Sequence, residues 1–83
     1  MINMEPENSP GGKQMLAFLL KKGDYLCDLA INHSKSAEFE KARDFYIQAA
    51  GWYKKAGATD KMTETMKKAK AEDGKAKSAP PRE

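Results

Sequence analysis

The stretch from residue 37 to residue 57 places alanines and large aromatic side chains at helical spacing. On a helix wheel these residues form one stripe: Phe39, Ala42, Tyr46, Ala49, Ala50 and Tyr53. The alanines allow another helix to approach closely, and the aromatic rings fill the space around them. The pattern therefore predicts a helix from about Ala37 to Ala56 that packs against other helices.

The apolar arc of this helix is wider than one neighbour requires. Phe45, Trp52 and Ala56 extend the stripe on one side, so that the arc covers about 160° of the wheel. Such a helix is expected to have more than one packing partner. Ile47 lies outside the arc and is expected to be an isolated surface residue.

A first helix is predicted over residues 13–35, where apolar residues recur with helical periodicity. The main row consists of Met15, Leu19, Leu26, Leu29 and Ala30. Gly23 interrupts this segment at a cost of about 1 kcal/mol relative to alanine. We favour a single helix, with or without a kink, although Gly23 could also end one helix and allow Asp24 to cap another.

The boundaries of the later helices can be proposed from capping residues. Ser36 is expected to cap the second helix and Gly57 to end it. Thr59 or Asp60 is expected to cap a third helix that runs to about Ala71. The apolar row of that helix is thin and consists of Met62, Met66 and Ala69.

These segments predict an all-α fold, a three-helix antiparallel bundle in which a third helix completes a helical hairpin. Residues 13–72 would form the helical interaction domain. Residues 1–12 and residues 73–83 are rich in proline, glycine or lysine and are expected to be flexible tails. The net charge of +3 is uneven: residues 1–53 carry six basic and seven acidic side chains, and residues 54–83 carry nine and five.

The sequence offers no arrangement typical of an enzyme or a metal protein. Cys27 and His33 are six residues apart on one helix and point about 120° apart, without a third residue to orient the histidine. We therefore expect a non-enzymatic protein with no cofactor and no metal site. The absence of a long apolar run and of a secretory pattern, together with a lone cysteine, favours a cytoplasmic protein.

Part of the chain resembles a known helical hairpin. The segment Leu26-x-x-Leu29-Ala30-x-x-His33, followed by Ala37-Glu38-Phe39-x-x-Ala42-x-x-x-Tyr46-x-x-Ala49, resembles one tetratricopeptide repeat. It departs from that family where Ala37-Glu38-Phe39 replaces Gly-Asp-Tyr, Ala30 replaces glycine and His33 replaces an aromatic residue. A single repeat of this type does not usually bury its own apolar face.

Two related forms are also similar to this chain. The microtubule-interacting-and-trafficking (MIT) domain, a three-helix bundle, is similar at Ala30-Ile31, Phe39-Glu40-x-Ala42, Tyr46-x-x-Ala49 and Asp60-Lys61. The opening helices of the soluble SNARE-attachment adaptors resemble Gly12-Lys13-Gln14, Ala49-Ala50 and residues 52–57. The MIT resemblance implies a groove that takes a short helical or extended tail of a membrane-remodelling filament protein.

The sequence thus predicts a module for protein–protein interaction, which binds a helical or extended partner segment in an inter-helical groove. The resemblances imply that it acts as an adaptor in membrane trafficking. Candidate partner-binding residues are Phe45, Trp52, Ala56, Met62, Met66 and Ala69. The same residues could instead bury neighbouring helices. Alternatives are a homo-oligomeric structural subunit or a lysine-rich protein that binds nucleic acid or an anionic membrane. Nucleic acid is the less favoured partner, because Arg82 is the sole arginine in the basic region and acidic residues dilute its charge.

Overall fold

The computed structural model describes residues 10–78, with side chains from residue 12 onward. Three helices account for nearly all of this range: α1 (Pro10–Lys35), α2 (Phe39–Lys55) and α3 (Thr59–Ser78). Two short turns join them, and no strand occurs among the described residues. The prediction of an all-α fold with three helices is confirmed.

The central helix is α2, which packs against α1 on one side and α3 on the other. This arrangement explains the wide apolar arc of α2, because each neighbour covers part of it. Phe39 is half-buried, and the rest of the predicted stripe is fully buried. Ile47 is 45% exposed, as expected for a residue outside the arc.

The core is built mainly from alanines and tyrosines. Its buried apolar residues are Leu26, Ala30, Ala42, Tyr46, Ala49, Ala50, Tyr53 and Ala69. Small side chains keep the three helices close together, and Tyr46 and Tyr53 are the aromatic residues in this buried set. Because α1 and α3 make few contacts with each other, the stability of the bundle depends on α2.

Helix α1 runs without interruption through Gly23, in agreement with the single-helix prediction. The reason lies in α2, since a β-carbon at this position would be 2.5 Å from Cε1 of Tyr53. Real contacts of a β-carbon are essentially never that short. Glycine is therefore required here by close packing against Tyr53, and it does not serve as a helix end.

The two turns share one hydrogen-bonding pattern. Ala37 and Gly57 each have a positive φ, of 61° and 74° respectively. In the first turn the N–H of Glu38 donates to the carbonyl of His33, and the N–H of Ala37 donates to that of Ser34. The second turn repeats these bonds from residues 58 and 57 to residues 53 and 54. Both turns are Schellman motifs, which satisfy carbonyl groups at the end of the preceding helix.

These turns correct the predicted caps. Ser36 does not cap α2, because its N–H bonds back to α1 and Glu38 occupies the capping position. The Glu38 side chain makes no capping hydrogen bond to α2 and instead contacts His33. Gly57 follows the end of α2, as predicted. In α3 the carbonyl of Ala58 accepts the first helical bond, so the helix begins one residue earlier than a Thr59 cap would allow.

The outer ends of the bundle are longer than predicted. Helix α1 begins at Pro10, and α3 continues to Ser78 instead of ending near Ala71. An ion pair of 2.8 Å between Arg43 and Asp73 attaches the extended part of α3 to α2. Residues 10–12 and 73–78, assigned to the tails from sequence, are therefore helical. The other predicted tail residues, 1–9 and 79–83, lie outside the described range.

Candidate functional site

Two of the predicted partner-binding residues on α2, Phe45 and Trp52, contact α1. Phe45 is half-buried and stacks on the ring of His33, with 5.2 Å between ring centroids and 17° between planes. Trp52 is half-buried and meets the ring of Phe18 edge to face at 6.0 Å. Ala56 is half-buried at the end of α2. These contacts place Phe45 and Trp52 at the packing boundary between α1 and α2.

The predicted residues on α3 differ in their accessibility. Ala69 is 3% exposed and lies in a core cluster with Ala30, Ala42 and Tyr46. Met62 is half-buried against a second core cluster around Tyr53, whereas Met66 is 40% exposed. The six predicted residues are thus divided between the α1-facing side of α2 and the α3 helix, and Ala69 is part of the core.

A set of residues that shares Trp52 with these six forms a contiguous surface across α1 and α2. We call it the aromatic–lysine surface, and it consists of Phe18, Lys22, Tyr25, Trp52 and Lys55. The three α1 residues are spaced i, i+4 and i+7, which places them on one helix face. The two α2 residues are one turn apart. The antiparallel pairing of α1 and α2 brings these two short rows together.

The ring of Trp52 is at the centre of this surface. The Nζ atom of Lys55 lies 4.7 Å from the ring centroid, and that of Lys22 lies 5.8 Å from it. Lys22 also lies 5.9 Å from the centroid of Tyr25. These distances are typical of cation–π contacts. Phe18 and Tyr25 remain 53% and 56% exposed, so two large rings are open to solvent beside the lysines.

The electrostatics of this surface differ from those around α3. Among residues 12–78, Lys22 and Lys55 form no ion pair. Where α3 meets the other helices, by contrast, Lys61 pairs with Asp24 at 3.6 Å and Arg43 pairs with Asp73 at 2.8 Å. Elsewhere on α3, Lys67, Lys68 and Lys70 form no ion pair among residues 12–78. Positive charge is therefore left uncompensated by ion pairing where the exposed aromatic rings are.

A polar cluster around Tyr53 connects all three helices. The Tyr53 hydroxyl donates a hydrogen bond to Asp24 and lies 3.7 Å from the Cys27 sulfur. Lys61 of α3 pairs with the same aspartate and lies over the Tyr53 ring at 5.2 Å. Burial raises the pKa of Tyr53 well above its ordinary value, and the hydrogen bonds to Asp24 and Cys27 add to the increase.

A second polar cluster connects α1 to α3. Glu72 is buried, and the Ser34 hydroxyl lies 3.1 Å from both of its carboxylate oxygens. Lys75 pairs with the same carboxylate at 3.3 Å. Burial raises the pKa of Tyr46, and the nearby charge of Glu72 raises it further. These contacts supply hydrogen bonds to a carboxylate that would otherwise be costly to bury.

Residues 10–78 contain no group of three or more histidine, cysteine, aspartate or glutamate side chains that could hold a metal ion. No helix in this range is both long enough and apolar enough to cross a membrane.

The fold and contacts define an all-α, three-helix bundle with an exposed aromatic–lysine surface on its α1–α2 face. No protein-family model matches the chain, and no curated protein or solved structure is significantly similar to it.

Sequence reasoning missed the α1 part of this surface. Phe18, Lys22 and Tyr25 lie outside the leucine row that identified the core face of α1. Their spacing places two aromatics and a lysine on one face, which is a usable signal for a second functional face. Their proximity to Trp52 depends on the pairing of α1 with α2 and cannot be read from either segment alone.

Proposed function

We propose that this protein is an interaction module that binds a helical or extended segment of a partner protein along the α1–α2 face. The observation that carries the proposal is the aromatic–lysine surface. Exposed apolar patches on small proteins often mark interaction sites, and tryptophan and tyrosine are enriched among residues that dominate binding energy. The surface spans two antiparallel helices, which suits a partner segment that lies along them.

The resemblance to helical-hairpin adaptors supports the same proposal. At the repeat-like positions, Ala42, Tyr46 and Ala49 of α2 are buried between neighbouring helices. Hairpins of this type commonly serve as scaffolds for protein binding. A tetratricopeptide-like or MIT-like module in membrane trafficking is therefore our more specific hypothesis.

The proposal can be tested with exposed apolar residues on three different faces. Phe18→Glu alters the α1–α2 face, Met66→Asp alters α3, and Ile47→Glu alters the outer side of α2. Each variant of the full chain would be immobilised, exposed to cell extract and analysed by quantitative mass spectrometry after circular dichroism has verified folding. We expect Phe18→Glu to lose specific partners that the other two variants retain. Retention of every specific partner by Phe18→Glu would contradict the proposal.

A specific feature of α1 also favours self-association as a second candidate. Trp52, in the last turn of α2, contacts Phe18, so α1 has an extension of about two turns, residues 10–17, that continues past Trp52 towards and beyond the end of α2. Met15 and Leu16 on this extension are largely exposed, although they belong to the apolar rows of α1 that pack in the core further along the helix. A second copy could cover them.

Sedimentation equilibrium tests this second candidate. If the extension mediates self-association, the full chain will form a dimer or larger oligomer that Leu16→Glu dissociates and Ile47→Glu does not. A monomer over the whole accessible concentration range would exclude this candidate.

A further inference from the structure

We propose that the aromatic–lysine surface recognises an acidic, amphipathic segment of a partner protein. Carboxylates of that segment would pair with Lys22 and Lys55, while its apolar side chains pack on Phe18, Tyr25 and Trp52. This inference rests on the proposed function and specifies the chemistry of the partner.

The two ammonium groups lie beside the same aromatic ring. Both Nζ atoms lie within 6 Å of the centroid of one Trp52 ring. A carboxylate that reaches either lysine therefore brings its own chain against the indole and the exposed Phe18 ring. Ionic and apolar contacts are available on the same small area, which matches an amphipathic segment better than a purely acidic one.

The positive charge of this surface favours an acidic partner. Neither lysine has an ion-pair partner among residues 12–78, so an incoming carboxylate does not have to displace one there. Lys21 and Lys54, the sequence neighbours of Lys22 and Lys55, are exposed and likewise form no ion pair in this range. Uncompensated positive charge attracts acidic segments and disfavours basic ones.

The placement of the lysines also favours a protein segment over a lipid surface. Aromatic residues that enter a membrane are usually accompanied by lysines whose ammonium groups reach outward to the headgroups. Here the ammonium groups lie over the Trp52 ring, in the middle of the aromatic cluster. An anion must come close to the ring to reach them, as a side-chain carboxylate of a packed segment does.

The experiment uses Trp52 as a reporter, because it is the one tryptophan of the full chain. Its fluorescence would be titrated with two short amphipathic peptides of the same length, one of leucine and glutamate and the other of leucine and lysine. The same titrations would be made on the double variant Lys22→Glu/Lys55→Glu and on the control Lys67→Glu/Lys68→Glu. Circular dichroism would verify that each variant folds.

We expect the native chain to bind the glutamate peptide about tenfold or more tightly than the lysine peptide. The double variant should reverse this preference, and the control variant should preserve it. Equal binding of both peptides, with sensitivity to Phe18→Glu, would overturn the inference and leave the proposed function standing. No binding of either peptide, together with unchanged partner capture by Phe18→Glu, would contradict both.

Two further measurements test whether a membrane or a second copy of the chain covers the aromatic–lysine surface. Phosphatidylserine-containing vesicles should leave the Trp52 emission unchanged; a shift with vesicles and none with the glutamate peptide would assign the surface to membranes and overturn the inference. Dilution of the full chain should also leave the emission unchanged. A change on dilution that Phe18→Glu abolishes would identify a second copy as the occupant and would likewise overturn it.

Discussion

An added methyl group at Gly23 would meet three atoms of the Tyr53 ring within 2.8 Å. The ring is buried and its hydroxyl is hydrogen-bonded, so it has little freedom to move aside. The position therefore reports on whether α1 and α2 pack as described.

Gly23→Ala should lower the free energy of unfolding by about 1–3 kcal/mol, because overpacking outweighs the better helix propensity of alanine. Gly51→Ala is the matched control, because Gly51 lies on the exposed side of α2 and a β-carbon there meets nothing within 4 Å. It should raise stability by up to about 1 kcal/mol. Urea denaturation measures both, and a Gly23→Ala protein at least as stable as the native one would show that this contact is incorrect.

Tyr53 makes the bundle sensitive to alkaline pH. Its pKa is raised in the folded state, so the neutral phenol is favoured there, mainly through burial. The resulting stabilisation is complete below the unfolded-state pKa of about 10 and is lost as pH rises above it. Tyr46 acts in the same direction.

Thermal melts between pH 8 and pH 11 should therefore show stability falling at the alkaline end, with a smaller decrease in Tyr53→Phe than in the native chain. Near neutral pH the variant should be less stable by about 0.5–1.5 kcal/mol, because the hydrogen bond to Asp24 is lost. An alkaline decrease of equal size in both proteins would assign the effect to other groups.

At the scale of the helices, the two turns provide a natural comparison. Ala37 and Gly57 occupy equivalent left-handed positions in equivalent Schellman motifs. Alanine is strained in this conformation, and glycine adopts it readily.

Ala37→Gly should therefore stabilise the protein by about 0.5–1 kcal/mol, and Gly57→Ala should destabilise it by about 1 kcal/mol. A β-carbon at Gly57 meets nothing within 4 Å, so the second effect would come from the backbone alone. Equilibrium unfolding measures both changes. Effects of the same sign would be inconsistent with equivalent turns.

The last turns of α3 depend on Asp73. Hydrogen bonds from Arg43 and then Lys77 lower the pKa of Asp73 below its ordinary value of 3.8. A carboxylate with a lowered folded-state pKa stabilises the protein above its unfolded-state pKa, and this contribution is lost as pH falls through the lower value.

Asp73→Asn should consequently reduce the amide protection of residues 72–78 at neutral pH. Below about pH 4, the protection of these amides should change less with pH in the variant than in the native chain. Glu64→Gln is a control on the same helix, since Glu64 forms no ion pair among residues 12–78. Hydrogen exchange read by NMR would check both variants. Unchanged protection in Asp73→Asn would mean that the ion pair with Arg43 does not hold this end.

The features of the fold that could be predicted are those that depend on residues close together in the sequence. The alanine and tyrosine spacing of α2 identified its buried face, and Gly57 marked its end. Ala37 was missed as a turn residue because alanine carries no signal for a left-handed conformation. The length of α3 was missed because lysines and Gly74 resemble a tail, whereas the ion pair from Arg43 to Asp73 joins residues 30 positions apart.

The candidate site shows the same limit. Trp52 was identified because it lies beside a recognisable stripe, but its partners Phe18 and Lys22 are on another helix. Their contact is a product of the α1–α2 pairing, which sequence periodicity alone does not align. Conversely, Ala69 was proposed as a binding residue because its row was apolar, yet it packs in the core with Ala30 and Tyr46.

At the scale of the whole molecule, the bundle has one central helix and two outer helices, which touch each other through a few side chains such as Ser34 and Glu72. The two sides of α2 are therefore different environments. On the α3 side, Arg43 of α2 pairs with Asp73, and Lys61 of α3 pairs with Asp24 of α1. The α1 side presents exposed aromatic rings beside Lys22 and Lys55, which form no ion pair among residues 12–78. The exposed rings and these two lysines are the basis for our proposal that a partner binds to the α1–α2 face.

The most direct test of that assignment is an amide chemical-shift map of the full chain, recorded with and without the leucine–glutamate peptide. We expect the largest changes at Phe18, Lys22, Tyr25, Trp52 and Lys55, with little change around Met66. Changes centred on Met66 and the rest of α3, with Trp52 unaffected, would contradict the account.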